Sequence, residues 1–271
     1  IRRTFSKKSD LGRRRTQLAE APADIVVPLE AVIEREPVTI LCSDRGWIRA
    51  MKGHMDDLSS AKYKDGDRER FALRAHTTDR LLVVATNGRI YTLGVDKLPG
   101  GRGFGEPVRL MIDLPNDHDV VSLLVHKPGG RLLLASSDGR GFIAKEDDLI
   151  AQTKNGKQAL NVSGEVETQV CRRIPETADS VAVVGDNHKL LVFGLDELPE
   201  MSRGRGVMLQ RYRDGGLADA QVFQRSEGLS WTMGGSGERT RTETDLTPWL
   251  GKRASAGRLP PRGFPRSNRF D

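Results

Sequence analysis

A unit of about fifty residues recurs along this 271-residue chain, and recurrence at that length leaves blades or coils as the fold. Short apolar runs, such as Leu81-Leu82-Val83-Val84-Ala85, meet polar turns at five places. The turns are Cys42-Ser43-Asp44-Arg45-Gly46, Thr86-Asn87-Gly88-Arg89, Ser137-Asp138-Gly139-Arg140, Asp186-Asn187-His188-Lys189 and Gly235-Ser236-Gly237-Glu238. A polar turn between two apolar runs reads as a β-hairpin. With Gly88, Gly139, His188 and Gly237 taken as equivalent, successive units lie 51, 49 and 49 residues apart, and Arg45 lies 43 before Gly88. His188 stands where other units carry Gly or Arg, which leaves the register of that hairpin open.

Each unit carries more than its hairpin. Leu98, Leu149, Leu198 and Leu246 follow the turns at nine or ten residues, each just after an acidic residue, and are expected to plug the core. About fifteen residues after each turn comes a basic, glycine-containing loop: Gly101-Arg102-Gly103-Phe104-Gly105, Lys154-Asn155-Gly156-Lys157, Arg203-Gly204-Arg205-Gly206 and Gly251-Lys252-Arg253. The first unit is looser, with Lys52-Gly53-His54 and Lys62-Tyr63-Lys64-Asp65-Gly66 in the corresponding stretch. In a pseudo-symmetric ring, a cation at one offset in every unit lands on one edge and makes a continuous positive band. Such a band suits a polyanion, and the glycines would let backbone N–H groups approach a phosphate. The sequence offers no recognition helix, zinc finger or aromatic stacking platform, so binding is expected to be largely independent of base sequence, with bending as its consequence. An ordinary reading stands beside this one, in which the glycines serve plain turns and the cations a solvated face.

Composition agrees with many short strands: 29 Gly, few aromatics, a net charge of +6 and 43 Lys plus Arg. No apolar run reaches the roughly 20 residues that cross a bilayer. No signal-peptide pattern opens the chain, and a soluble cytoplasmic protein is expected. Cys42 and Cys171 have no partner at metal-ligand spacing and are expected to be reduced, structural thiols.

The stretches Glu36-Pro37-Val38-Thr39-Ile40, Gly46-Trp47-Ile48-Arg49-Ala50-Met51-Lys52-Gly53-His54 and Tyr63-Lys64-Asp65-Gly66-Asp67 resemble the start of the C-terminal domain of the A subunit of bacterial DNA topoisomerase IV. Leu98-Pro99 with Arg102-Gly103-Phe104-Gly105-Glu106-Pro107, and Leu198-Pro199 with Arg203-Gly204-Arg205-Gly206, resemble it too, and the likeness runs from about Asp24 to Gly263. It implies an all-β fold, a β-pinwheel of about five blades that exchange strands with their neighbours, with a basic rim that binds and bends double-stranded DNA. The gyrase A subunit shares this domain. The first-blade loop Met51 to Gly66 lacks the Gln-Arg-Arg-Gly-Gly-Lys-Gly box of gyrase, and the short echoes at Arg102 to Gly105 and Arg203 to Gly206 are more like topoisomerase IV. The resemblance places DNA contacts at Lys52, Lys62, Lys64, Arg102, Lys154, Lys157, Arg203, Arg205, Lys252 and Arg253. Arg49 and Arg89 extend the band or sit on the other face. Its implied partners are DNA, the rest of the A subunit and the ATPase B subunit, near the nucleoid, in chromosome segregation.

Catalytic parts are not legible here. Tyr63, Tyr91 and Tyr212 lie outside the family's catalytic motif and read as packing residues, and the sequence shows no Asp-x-Asp cluster, phosphate loop or nucleophile elbow. ATP and Mg would belong to the holoenzyme, with no cofactor in this piece. A protein-binding propeller and, more remotely, an enzyme on a propeller scaffold remain as alternatives. The expected organisation is a basic connector over 1–23, a single domain over 24–257 with blades at 34–78, 79–129, 130–178, 179–228 and 229–257, and a basic Pro-containing tail over 258–271, extended along the rim or disordered. The chain begins at Ile1, as a piece of a longer polypeptide would, and the apolar stretch from Asp24 is expected to help close the ring or to leave it open.

Overall fold

The computed structural model describes residues 33–59, 61–233 and 239–271. By contacts the chain divides into residues 1–33 and a compact unit from Glu34 to Asp271, and the account below concerns the second. The expected connector, the strand expected from Asp24 and the turn at Gly235 to Glu238 fall outside the described residues.

The described residues of the unit form seventeen strands: β1 (Pro37–Ser43), β2 (Trp47–Lys52), β3 (Glu69–His76), β4 (Arg80–Ala85), β5 (Arg89–Gly94), β6 (Glu106–Pro107), β7 (Val120–Val125), β8 (Arg131–Ser136), β9 (Arg140–Lys145), β10 (Lys157–Gln158), β11 (Thr168–Arg173), β12 (Ser180–Gly185), β13 (Leu190–Gly194), β14 (Val207–Met208), β15 (Leu217–Phe223), β16 (Leu229–Met233) and β17 (Arg239–Glu243). Among the described residues, the helical elements between them are short 3₁₀ turns joined by loops. The five expected hairpins are present as antiparallel pairs: β1 with β2, β4 with β5, β8 with β9, β12 with β13 and β16 with β17. The first turn aligns with the others through Gly46, one residue after Arg45, because Gly46 (φ 77°), Gly88 (φ 76°) and Gly139 (φ 80°) share the left-handed place. His188 takes that place in the fourth hairpin at φ 56°, and the β12–β13 register runs unbroken from Ser180↔Gly194 to Val184↔Leu190.

The sheets exchange strands. They run β3-β1-β2-β6, β10-β5-β4-β7, β11-β8-β9-β14, β13-β12-β15 and β16-β17. Thus β6, which follows the second hairpin, closes the first blade; β10 closes the second and β14 the third. Past the fifth hairpin, Arg258 bridges Leu190 and Leu250 bridges Val192, so the same exchange reaches the fourth blade. At the other edge β3, β7, β11 and β15 touch in succession and line the inside. The first unit looked loose because its β2–β3 connection has no earlier blade to cross to. Its partner strand is β6, more than fifty residues downstream of Trp47.

Alternation explains why the strands read as unbroken apolar runs. Along β4, Leu81, Val83 and Ala85 face the first blade's core, while Leu82 and Val84 face the third blade's. Along β12, Val181 and Val183 face one neighbour, and Ala182 and Val184 the other. Successive side chains leave a strand on opposite faces, so a blade flanked on both sides must be apolar on both. The plug leucines are buried between blades: Leu98, Leu149, Leu198 and Leu246 are at most 8% exposed.

The fifth sheet has two strands, and the chain's end supplements it. Phe264 and Phe270 are buried beside Trp231, with ring centroids 5.4 Å apart for Trp231–Phe264 and for Phe264–Phe270, and Thr232 donates its backbone N–H to the Phe270 carbonyl at 2.8 Å. The tail, expected to be extended along the rim or disordered, sends Phe264 and Phe270 into the last blade. Its three prolines set an extended chain, but two phenylalanines give that chain a core to enter.

Candidate nucleic-acid interface

The outer edge of each of the first four sheets is where the exchanged segments arrive, and the basic loops deliver them. After each plug leucine the chain crosses to the preceding blade: Ala50 donates to the Pro99 carbonyl at 2.8 Å and Ile143 to the Pro199 carbonyl at 2.9 Å. A glycine then enters the exchanged strand. Gly105, Gly156, Gly206 and Gly257 all have φ between 68° and 84° and stand 51, 50 and 51 residues apart. A Cβ at Gly105 would lie 2.2 Å from the Ile48 carbonyl oxygen, and one at Gly206 would lie 2.4 Å from that of Gly141. These glycines therefore serve the close approach of two strands, a role that the phosphate reading of the loops did not contain. The charge beside them is a separate feature.

The structure sorts the ten expected cations by blade. At the first blade's edge Lys52 and Arg102 line one cleft, and Lys62 lines a second with Phe104. Lys64 lies 3.3 Å from the centroid of the Trp47 ring, a cation–π contact that leaves it half-buried. At the second blade's edge are Lys154 and Lys157, at the third Arg203 and Arg205, and at the fourth Lys252 and Arg253. Four successive blades thus each carry a cationic pair or more at the outer edge.

Their availability differs. Lys62, Arg102, Lys154 and Lys252 are exposed and have no side-chain partner among the described residues. Lys52 is 92% exposed, with Glu36 only at 4.0 Å. Lys157 donates to the Asp148 carbonyl. Arg203 reaches Asn161 Oδ1 at 3.3 Å, and Arg205 pairs with Asp138 at 3.1 Å. Arg253 is committed to the fold: it donates from Nε to the Glu197 carbonyl at 3.1 Å and from Nη1 to the Met208 carbonyl at 2.7 Å.

Arg49 belongs to the interior, 4% exposed. It donates to the carbonyls of Gly103 and Lys62, the latter at 2.7 Å, beneath the Tyr63 ring, and so ties the loop carrying Arg102 to the loop carrying Lys62. Arg89 donates to the Asn155 carbonyl at 2.8 Å and braces the next loop. Two further residues at this edge are not among the ten expected contacts. Arg258 follows Gly257 as Lys157 follows Gly156, which alignment on these glycines exposes. Phe104 is 43% exposed and lies between Arg102 and Gly105.

The tyrosines and cysteines are packing groups. Tyr91 is fully buried, accepting from Asn87 at 3.1 Å and donating to the Asp113 carbonyl at 3.3 Å. Tyr212 lies against Gly139 and Gly185, and burial raises its hydroxyl pKa. Tyr63 donates to Glu69 at 2.9 Å; burial first, then that bond, pushes it up to about 12. Burial likewise pushes the Cys42 thiol up to about 11 and the Cys171 thiol up to about 12, leaving both as protonated core groups.

Comparison with known proteins agrees with this architecture. Residues 79–127, 130–168 and 179–217 match the family described as the DNA gyrase C-terminal domain, beta-propeller. Over its whole length the chain is 45% identical to the A subunit of DNA topoisomerase 4 from Rickettsia bellii, and over 94% of its length it is 46% identical to that of Caulobacter vibrioides. It spans about a third of those relatives, 36% and 33% respectively. The E. coli ParC C-terminal domain superposes with a TM-score of 0.74 at 28% identity, covering 85% of this chain and 96% of that one. The C-terminal domain of a DNA gyrase A protein superposes at 0.58 with 15% identity, a likeness of fold.

Proposed function

Because the chain belongs to the family of C-terminal domains found in topoisomerase IV A subunits, we propose that its outer edge binds and bends duplex DNA and presents it to the rest of that polypeptide. The observation that carries this reading is the return of exposed cations, Arg102, Lys154, Arg203 and Lys252, in the exchange loops of four successive blades. Phosphates are the expected contacts, and they carry little base-sequence information. If about five phosphates are neutralised, a fourfold rise in salt weakens binding about 500-fold, from a slope near −0.9 per phosphate. Smooth bending of a short site costs about 1–6 kcal/mol, which several charge-assisted contacts offset.

The chemistry of strand passage would belong to the remainder of the polypeptide and to a separate ATPase, with ATP and Mg bound there. This unit would choose which duplex segments reach the cleavage gate, favouring linked or supercoiled DNA in the decatenation that precedes chromosome segregation at the nucleoid. No helix among the described residues is long and apolar enough to cross a membrane.

The test is binding of this chain to end-labelled duplex, read as affinity and as energy transfer between the ends across a salt series. Salt-steep, sequence-indifferent binding with shortened end-to-end distance is expected. Charge reversal is best made at Arg102, Lys154 and Lys252, since Arg205→Glu would also set a carboxylate against Asp138. Unchanged affinity in the triple variant would refute the rim as the binding surface.

A further inference from the structure

The position just before the exchange glycine reads Phe104, Asn155, Arg205 and Ala256 in successive loops. At the third blade's edge that place holds an arginine whose side chain is 61% exposed. At the first blade's edge it holds an aromatic ring, 43% exposed and one of few large apolar side chains left in solvent. Phe104 shares a shallow cleft of about 260 Å³ with Met51, Lys62 and Gly101. Arg102, two residues away, is exposed and free of side-chain partners among the described residues. An apolar ring among cations at a proposed phosphate-binding edge suits a ligand that offers apolar surface between two charged rails.

The backbone on either side of the ring is held in place. Arg49 bonds the Gly103 carbonyl from below, and the Gly105 backbone lies against the Ile48 carbonyl, so both neighbours of Phe104 are fixed to the second strand. A cation at the same place would reach outward to one phosphate. A ring on this fixed backbone presents instead a wedge about as thick as one stacked base.

We infer that Phe104 makes an apolar contact with the minor-groove edge of a base step, partly unstacks it, and fixes where the bend begins on the first blade. This rests on the DNA-binding reading above and extends it to the kind of duplex preferred. Apolar wedges kink DNA toward the major groove, and pyrimidine–purine steps yield more easily than A-tracts. The preferred substrate is therefore a duplex with a deformable step near its centre.

The test uses two end-labelled duplexes of about 30 bp, one with a central TA step and one with a central A-tract, titrated with the 271-residue chain. The native chain is expected to bind the TA duplex about tenfold more tightly and to draw its ends closer. Phe104→Ala should bring that ratio to about one and lengthen the end-to-end distance, with the salt slope unchanged. Phe104→Leu should keep most of the preference, and Phe104→Arg, which repeats the residue of the third blade's edge, should bind both duplexes tightly without choosing. Because the side chain is half in solvent, thermal melting should be the same in all three variants. Discrimination and bending retained in Phe104→Ala would overturn the inference. Tight binding without discrimination by the native chain would overturn it as well and leave the rim intact. No binding to either duplex at low salt would overturn the rim reading beneath it.

Discussion

Gly206 shows how much one residue type carries in this fold. Its φ is 75°, and a Cβ there would meet the Gly141 carbonyl oxygen at 2.4 Å, so both the dihedral and the space exclude a side chain. Gly206→Ala is expected to destabilise the unit by about 2–4 kcal/mol, from left-handed strain plus displacement of the exchanged strand. That corresponds to a melting temperature lower by roughly 5–15 °C. Gly100→Ala is the control: nothing stands within 4 Å of its Cβ position, and a change within about 0.5 kcal/mol is expected. Equal melting of the two variants would refute the close-approach argument. The sequence shows glycine beside Arg203 and Arg205 and invites a phosphate reading. The partner that demands the glycine, Gly141, lies 65 residues upstream and leaves no local mark. Arg49 was ambiguous for the same reason, since the two carbonyls it joins, Gly103 and Lys62, come from loops that only the fold brings together.

At the scale of the element, the hairpin strands and the exchanged strands differ in what they reveal. Strands such as β4 and β12 are five or six residues of continuous burial, and their apolar runs announce them. The exchanged strands β6, β10 and β14 have two residues each, too few to show any period, so strand exchange entered through resemblance alone. The tail is the opposite case: its prolines and arginines mask Phe264 and Phe270. Phe270→Ala is expected to cost about 3–5 kcal/mol, the range for a buried phenylalanine, measurable by urea unfolding. A loss below about 1 kcal/mol would mean that the tail is not part of the last blade's core. The tail is also clipped by charge. Arg172 bonds Asp271 at 2.7 Å and Asp219 at 3.1 Å, and the bond to Arg172 holds the Asp271 carboxyl below its ordinary value of 3.8. A depressed carboxylate stabilises the folded state fully above its unfolded pKa, and that contribution is lost as pH falls through the folded value. Asp271→Asn should therefore flatten the decline of stability below about pH 4, with little change in the shape of the curve above it. An unchanged acid limb would show that the clip forms equally in the unfolded chain or not at all.

Across the whole unit, the order of the blades sets how the cations of the proposed rim are spaced. Inner strands β3, β7, β11 and β15 follow one another, so the edge clusters at Arg102, Lys154, Arg203 and Lys252 are spaced one blade apart along a single path. A duplex that meets all four must follow that path, whereas one that meets two neighbours can stay straight. Affinity and bending should then separate by position. On the proposed DNA-binding reading, each replacement by Ala should remove about one phosphate contact and lower the salt slope by about 0.9, wherever it is made. Arg102→Ala with Lys252→Ala, at the two ends of the path, should lose most of the shortening in end-to-end distance. Lys154→Ala with Arg203→Ala, in the middle, should lose the same slope and keep more of the bend, because the outer contacts still hold both arms. Arg253→Ala is the structural contrast. Its guanidinium bonds the Glu197 and Met208 carbonyls, so its loss should lower the melting temperature and leave the slope nearly unchanged. If the end pair and the middle pair reduce bending equally, the four clusters act as separate anchors, and the curved path between blades has no mechanical role.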